Sequence, residues 1–404
     1  MEVIPSDWVP ETDSIIKVLG VGGGGCNAVN YMYNQKIEGC TFVVCNTDSQ
    51  ALNKCDVPIK IQLGEGLGAG TNPTEGRNAA LNSQLEIEEK VLGSRTEMLF
   101  ITAGMGGGTG TGAAPVIAAM ARDRGILTVG VVTIPFRSQG NETMIKAIDG
   151  INELEKTVDS LLIIDNQKLY NVFGELTIFD AFPRADEVLS TAVRSIADII
   201  NRPGFINVDF ADVRMVMNNS GMAIMGMGEA EGPDRAIDAV QKALDSPLLN
   251  DCDLTTAKGV LVNITSSKED GGLTMAELSQ IMEQVRSYTG GVFNKFKRGV
   301  VYDPNIGKKI SVTIVATGFE INSLPQIDMP DETLEGDTWV INDPGNIEPE
   351  EKDTDPVITE KQVYIKPEGK PALILEPADD ISQFERVPAY IRRNKKLSGI
   401  MTEN

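Results

Sequence analysis

Gly104-Met105-Gly106-Gly107-Gly108-Thr109-Gly110-Thr111-Gly112 joins an apolar, β-forming segment, Met98 to Ala103, to a segment of helical character after Gly112. Without Cβ atoms such a backbone approaches an anion closely and turns several N–H groups toward it, while the following helix N-terminus adds partial positive charge. Thr109 and Thr111 add hydroxyl donors. The loop has no lysine, so it is not the GxxxxGK[ST] loop of P-loop NTPases, in which a lysine reaches the phosphates. Charge neutralisation then has to come from a metal or another segment. Glycine density alone also suits a flexible turn or close helix–sheet packing.

Two further glycine loops sharpen the reading. Residues 15–21 read as a buried strand, and Gly20-Val21-Gly22-Gly23-Gly24-Gly25 satisfies GxGxxG before a helix opens at Cys26-Asn27-Ala28. A second apolar run ends in Asn46-Thr47-Asp48, where a dinucleotide fold places its ribose-binding acid. By itself that pair describes an NAD-dependent Rossmann oxidoreductase. The third loop, Leu63-Gly64-Glu65-Gly66-Leu67-Gly68-Ala69-Gly70-Thr71-Asn72-Pro73, has no counterpart in that fingerprint. Three strand-end loops together suggest a triphosphate wrapped by backbone amides.

Working outward, segments 15–21, 42–45, 99–102, 127–134 and 161–164 are strand candidates with helical stretches between them. The alternation predicts an α/β fold with a parallel sheet covered on both faces and its ligand outside the strand C-ends. Residues 186–201 carry Val188, Leu189, Ala192, Ile196, Ile199 and Ile200 at helical spacing, until Arg202-Pro203-Gly204 stops the pattern. A second α/β unit follows, with strands expected at 213–217, 259–264, 300–302 and 311–317 and helices at 234–244 and 274–288. Residues 319–383 hold 17 Asp and Glu against 4 Lys and Arg, with scattered prolines, and read as an acidic disordered linker. The segments 338–341 and 372–375 are short apolar islands within it, with room for transient structure.

The 404 residues suffice for two domains plus extensions. A net charge of −22 argues against general nucleic-acid binding. Five cysteines, an odd number without a CxxC pair, read as reduced thiols rather than a disulfide frame or zinc site. No basic-then-apolar leader and no apolar run of 18 residues is present, so a soluble, cytoplasmic protein without direct membrane insertion is expected. The absence of histidine removes the usual near-neutral pH switch.

At these residues the chain resembles the tubulin/FtsZ GTPases, and within them the bacterial cell-division branch. Gly106 to Gly112 looks like the tubulin signature, and segments 21–30, 46–52 and 67–73 resemble the family's other nucleotide loops in order. Asn207-Val208-Asp209-Phe210-Ala211-Asp212-Val213-Arg214 is similar to the loop that the family inserts into a neighbour's nucleotide site. The resemblance implies a Rossmann-like GTP-binding domain at 14–185 after an N-terminal extension, 1–13. It implies a central helix at 186–204, a smaller α/β domain at 205–318 with the catalytic loop 205–214, the linker 319–383 and a tail peptide, 384–404.

The same resemblance assigns roles. Phosphates fall to Gly22, Gly23, Gly24, Gly104, Gly106, Gly107, Gly108, Thr109 and Gly110, with Asn46, Asp48, Gly70 and Thr71 in the flanking loops. Guanine falls to Phe182, Asp186 and Asn27; a Phe stacks on the purine, and a carboxylate accepts from guanine N1–H and N2. Asn166 helps close the ribose side. Asn207, Asp209 and Asp212 serve catalysis on the next subunit's GTP, so hydrolysis to GDP requires polymer contact. Taken alone, Asp209 and Asp212 read as helix or turn caps, and Phe182 as a core aromatic. Mg2+ is expected on the phosphates, with Asp209 and Asp212 as candidate additional ligands. Partners are a second copy, head to tail, and membrane-tethering division proteins of the FtsA type, reached through Tyr390, Ile391, Arg392 and Arg393 at the mid-cell division site. The plainer alternative for that tail is a solubilising basic segment.

Two departures stand out. Aligned on Gly140, the family's ribose-bonding Glu is Gln139 and its phosphate-approaching Arg is Thr143. Thr supplies no guanidinium charge, although Arg137 is close in sequence. The usual second Asn of the first loop is Cys26, and a basic residue near that helix start is Tyr31. Slow hydrolysis is expected, and a GTP-binding structural paralogue that polymerises with little hydrolysis is the main alternative.

Overall fold

The computed structural model describes residues 14–167, 178–202, 204–206, 208–246, 254–268, 271–290, 295–319, 338–340 and 363–365; of 178–185 and the last two triplets only the backbone is described. The extension 1–13, Asn207, most of the linker 319–383 and the tail 384–404 with Tyr390, Ile391, Arg392 and Arg393 therefore lie outside the described residues. In Asp328–Asn404, described by itself, Thr338–Val340 and Val363–Ile365 pair antiparallel.

Among the described residues, eleven strands form one sheet in the order β3-β2-β1-β4-β5-β6-β8-β11-β9-β10-β7. They are β1 Ile16–Val21, β2 Thr41–Asn46, β3 Ile59–Gln62, β4 Met98–Gly104, β5 Leu127–Ile134, β6 Ser160–Asp165, β7 Gly204–Ile206, β8 Gly221–Ala230, β9 Gly259–Ser266, β10 Lys295–Tyr302 and β11 Ile310–Phe319. Every pairing from β3 to β8 is parallel. Beyond β8 the sheet is mixed: β11 runs antiparallel to β8 and β9, while β9 and β10 are parallel. Helices connect the parallel strands: α1 Gly22–Asn34, α2 Ser49–Lys54, α3 Pro73–Asn82, α4 Gln84–Lys90, α5 Gly108–Asp123 and α6 Asn141–Glu155.

The alternation of strand side chains explains why these segments read as continuous apolar runs. Val18, Val44, Phe100 and Val129 enter one buried cluster, and Leu19, Val43, Ile101 and Val132 enter another on the opposite face. Both faces are covered, so neither parity of the strand is left for polar residues. The chain leaves β1 toward β2 and β3 on one side and returns to β4 on the other, which puts a topological switch between β1 and β4. A crevice outside the strand C-ends opens at such a point, and the first and the Gly104–Gly112 loops flank it.

Two expectations need correction. Residues 213–217 are not a strand: Phe210–Met217 is a helix. Asp209 accepts from the Asp212 N–H at 2.8 Å while the Asp209 N–H points to the Asp212 carboxylate at 3.4 Å, a reciprocal cap that starts a helix. Val213, Val216 and Met217 then bury together at helical spacing, which overrides their strand preference. The central helix spans Ile178–Asn201, starting eight residues before the apolar periodicity placed it. The strand β8 was not anticipated; its Met222 and Met225 bury on opposite faces, and its Gly228 lies under the Arg235–Leu244 helix, where a Cβ would stand 2.1 Å from the Ala239 carbonyl oxygen.

The tightest helix crossing, α3 on α5, seats the third glycine loop. A Cβ at Gly112 would lie 1.9 Å from the Pro73 carbonyl oxygen, and one at Gly76 2.3 Å from that of Gly108. These neighbours are backbone, so they yield only if the helices separate. Gly112→Ala is expected to lower the unfolding free energy by about 1–3 kcal/mol, the range for overpacking. Denaturant unfolding checks this, and an unchanged midpoint would mean that the crossing opens without cost.

Candidate functional site

The site is built where the C-ends of β1, β2 and β4 meet. α1 opens at Gly22 and α5 at Gly108, and neither has a side-chain cap or an acidic residue in its first turn. Their first amides are left for another acceptor, and both positive helix ends face the same loops. Gly22 adopts φ +73°, and a Cβ there would come within 2.9 Å of the Gly110 nitrogen. The two loops therefore lie backbone against backbone.

The candidate phosphate glycines divide into two roles. Gly24 faces Gly104, Gly106 faces Thr143, Gly108 faces Ala69 and Asn72, and Gly110 faces the Gly104 carbonyl. These let loops touch. Gly23, Gly70 and Gly107, one from each loop, are exposed and have open space where a Cβ would be. Those three border open space.

Side chains lock the frame. The Thr47 and Thr109 hydroxyls meet at 2.6 Å in a buried pair. Thr111 accepts from the Gly106 N–H at 2.9 Å, so its hydroxyl ties the loop to itself. The third loop folds onto the second through the Gly68 N–H to the Thr47 carbonyl at 2.9 Å. Gly70 and Thr71 are consecutive left-handed residues there, at φ +54° and +62°. Asn46 is buried and accepts from the Asp48 N–H at 3.2 Å. Asp48 itself caps α2, accepting from Gln50 at 2.8 Å and Ala51 at 3.2 Å.

On the far side of the crevice, Gln139 is exposed in a 3-10 turn before α6, and half-buried Thr143 donates to the Gln139 carbonyl at 3.1 Å. Thr143 thus presses on Gly106 with its hydroxyl turned back along its own helix. Asn166, just beyond β6, has a buried Oδ1 with no hydrogen-bond partner among the described residues. Such an atom is costly unless something donates to it. Asn27 is exposed on α1, which packs against the central helix carrying Asp186. Burial pushes the Asp186 carboxyl up to about 6. The Phe182 side chain lies outside the described residues, although its backbone is helical.

Asp209 and Asp212 are elsewhere. The Arg214 guanidinium, on the same helix, lies 3.4 Å from the Glu97 carbonyl and 3.3 Å from that of Gly125, residues just before β4 and β5 begin. It also covers the Phe210 ring at 5.0 Å, and Lys297 pairs with the Asp212 carboxylate at 2.5 Å. The acids therefore stand at the N-terminal edge of the parallel strands and the glycine loops at the C-terminal edge. At roughly 3.3 Å per residue, β4 alone separates the two by about 20 Å. Sequence reasoning missed Thr47 and Arg214 as frame residues, because their partners are 62 and 117 or 89 positions away.

Known proteins match this chain. Residues 15–174 match the model of the Tubulin/FtsZ family GTPase domain, and residues 221–320 that of the FtsZ family C-terminal domain. The cell division protein FtsZ of Pseudomonas putida is 43% identical over 400 residues, covering 96% of this chain and 98% of that protein. That of Coxiella burnetii is 49% identical over 308 residues, 75% of this chain and 78% of the relative. Among solved structures, an empty FtsZ dimer from M. jannaschii superposes with a TM-score of 0.69 at 39% identity, over 76% of this chain and 89% of that one. On the sheet, the loops and these matches, the chain belongs to the FtsZ family of tubulin-like GTPases.

Proposed function

We propose that this GTPase completes its active site only between two copies stacked head to tail, and that the resulting filament builds the bacterial division ring. The observation that carries the proposal is the placement of Asp209 and Asp212 at the opposite sheet edge from the glycine loops, anchored by Arg214. No bending within one chain spans that distance, whereas a second copy translated along the strand direction brings its acid edge onto the first copy's loops. Such a contact is heterologous and open, so it propagates into a filament.

Within one copy, Gly22, Gly23, Gly24, Gly104, Gly106, Gly107, Gly108, Thr109 and Gly110 hold the phosphates through amides and the two uncapped helix ends. Gly70 and Thr71 close over them, and Asn46 and Asp48 set the neighbouring loop. Gln139 hydrogen-bonds the ribose, and Asn166, whose Oδ1 is buried without a partner among the described residues, closes that side. Asp186 accepts from the guanine N1–H and N2, with Asn27 beside it and Phe182 stacking on the base. Mg2+ keeps most of its water and binds through phosphate oxygens, and among the described residues no cluster of three metal-ligating side chains occurs. From the next copy, Asp209 and Asp212 orient and polarise the attacking water, with Asn207 on the same loop. Thr143 brings no positive charge to the phosphates, so turnover is slow. The tail residues Tyr390, Ile391, Arg392 and Arg393 dock on a membrane tether of the FtsA type. Among the described residues no helix is long and apolar enough to cross a membrane.

Phosphate release measured against protein concentration, with magnesium, tests the shared site. The rate per subunit is expected to rise above a threshold concentration. Asp212→Ala should keep GTP affinity and lose roughly a hundredfold or more in turnover. Half of the helix cap survives the change, since Asp209 still bonds the backbone N–H of residue 212, while the Asp212 carboxylate's bond to the Asp209 N–H and its pairing with Lys297 are lost. A threshold-free or absent rate in the native chain would favour the non-hydrolysing paralogue.

Asp186 generates a pH dependence. Its folded pKa of about 6 lies above the ordinary carboxylate value, so the ionised form costs stability above that pH in the nucleotide-free protein. GTP needs that ionised form. Its affinity should fall about tenfold per pH unit below 6, one proton per site, and Asp186→Asn should bind more weakly and flatten the profile. A native profile flat from pH 5 to 8 would remove Asp186 from guanine recognition.

A further inference from the structure

A cation stands against one of the two candidate acids. Lys297 is the third residue of β10, and in the parallel register it lies beside Leu261 of β9. Leu261 is buried in one cluster with Val208, Val213 and Val216, whereas Phe296, one residue earlier on β10, packs against the cluster on the opposite face. Lys297 therefore leaves β10 on the face that the Phe210–Met217 helix covers. Gly299 shares that face two residues on. A Cβ there would lie 3.1 Å from Val208 Cγ2, so the bare backbone lets the segment before the helix lie close to the strand. From this position the Lys297 ammonium meets Asp212 Oδ1 at 2.5 Å.

That contact sets where the Asp212 carboxylate points. Its second oxygen, Oδ2, accepts from the Asp209 N–H at 3.4 Å, longer than an ordinary N–H···O bond. A second reciprocal cap in this chain, on the Met275–Tyr288 helix, is closed: Glu277 Oε2 takes the Thr274 N–H at 2.8 Å. Asp is one methylene shorter than Glu, so at position 212 the cap is stretched and the ion pair is the shorter tether. Arg214, on the same helix, is engaged by the Glu97 and Gly125 carbonyls and the Phe210 ring. The Lys297 and Asp212 side chains are 35% and 26% exposed. The pair is thus open enough for a second copy to reach, and wet enough to add little to the stability of the fold. Its consequence is geometric, one carboxylate orientation held at an exposed edge.

We infer that Lys297 is a positioning residue for GTP hydrolysis, holding the Asp212 carboxylate in the orientation in which it reaches the water at the next copy's nucleotide; this rests on the reading of Asp212 as an acid supplied across the junction. The ammonium acts through Asp212 and not on the reacting atoms. It holds one carboxylate oxygen and leaves the other, bound only by the stretched cap, available to the water. Without Lys297 the carboxylate is free to turn about its Cα–Cβ bond, closing on the cap amide or moving into solvent. A misplacement of about 1 Å costs up to about a hundredfold in rate. Lys297 stands, with Asp212, at the sheet edge opposite the glycine loops of its own chain, so its loss leaves nucleotide binding as it is.

The test compares the native chain, Lys297→Met, Lys297→Arg and Asp212→Ala in GTP binding and, well above the assembly threshold, in phosphate release per subunit. Lys297→Met, or Lys297→Gln if the methionine variant does not fold, is expected to lose about tenfold in turnover at unchanged GTP affinity. Lys297→Arg should recover most of that loss, because a guanidinium also pairs with a carboxylate. Adding Lys297→Met to Asp212→Ala should cost nothing further, as for residues that act as one unit; a merely structural lysine would weaken both backgrounds alike. Full turnover in Lys297→Met, equal losses in the Met and Arg variants, or a further loss in the Asp212→Ala background would overturn the role. A native chain that releases no phosphate would overturn it together with the shared-site reading, which separates the two failures.

Discussion

Backbone has to touch backbone at the C-terminal edge of the sheet, and most of what the protein does depends on that constraint. A Cβ at Gly25 would lie 2.1 Å from the Thr102 carbonyl oxygen, and one at Gly110 2.4 Å from that of Gly104. Any side chain at these positions would hold the loops apart and carry their amides away from a common point. The glycines cost conformational entropy, of order 0.5–1 kcal/mol each, and the doubly buried sheet beneath them offsets it. The Thr47–Thr109 hydroxyl pair then removes the remaining freedom between loops that close packing leaves.

The same sheet supplies polarity. Parallel strands place every β-to-α loop at one edge and every α-to-β junction at the other. The Phe210–Met217 helix is tied to that second edge by Arg214, through carbonyls one residue before β4 and two before β5. Its acids are thus held by the fold as firmly as the glycines, about one strand length away. On the proposed reading, a nucleotide bound at one end and acids displayed at the other make each copy incomplete and each pair of copies complete at one junction. Assembly is a consequence of strand direction rather than an addition to it.

Legibility in the sequence followed how local each determinant is. The glycine loops were readable because anion binding by a backbone is written in consecutive residues, and the parallel strands because two buried faces leave unbroken apolar runs. What composition alone did not show were features set by particular side-chain bonds and by packing. Residues 213–217 look like a strand by composition, yet a reciprocal cap between Asp209 and Asp212 and the burial of Val213, Val216 and Met217 against the sheet make them helical. Asp48 stands where a ribose-binding acid is expected, and the structure adds that its carboxylate caps α2. Sequence grouped the glycines as one phosphate-binding set; only the fold separates Gly23, Gly70 and Gly107, which border open space, from those pressed against a neighbouring loop.

A chain of net charge −22 that holds a polyanion without a lysine in its loops raises an electrostatic question that the geometry answers. Exposed charges more than about 8 Å apart are largely screened at physiological salt, so the global excess of acid matters little inside the crevice. What matters are the unscreened amides and dipoles of α1 and α5, neither of which has an acid in its first turn to compensate them. Asp186, on the central helix, is a half-buried carboxyl that burial pushes up to about 6. On the proposed placement of the nucleotide, the crevice is donor-rich at the phosphate end and acceptor-rich at the base end, the complement of a guanine nucleotide. Thr143 removes a charge from the donor-rich end and leaves this polarity intact. On the proposed reading, recognition is in that way separable from turnover: the backbone fixes the first, while the second needs charge that one chain does not bring to its own nucleotide.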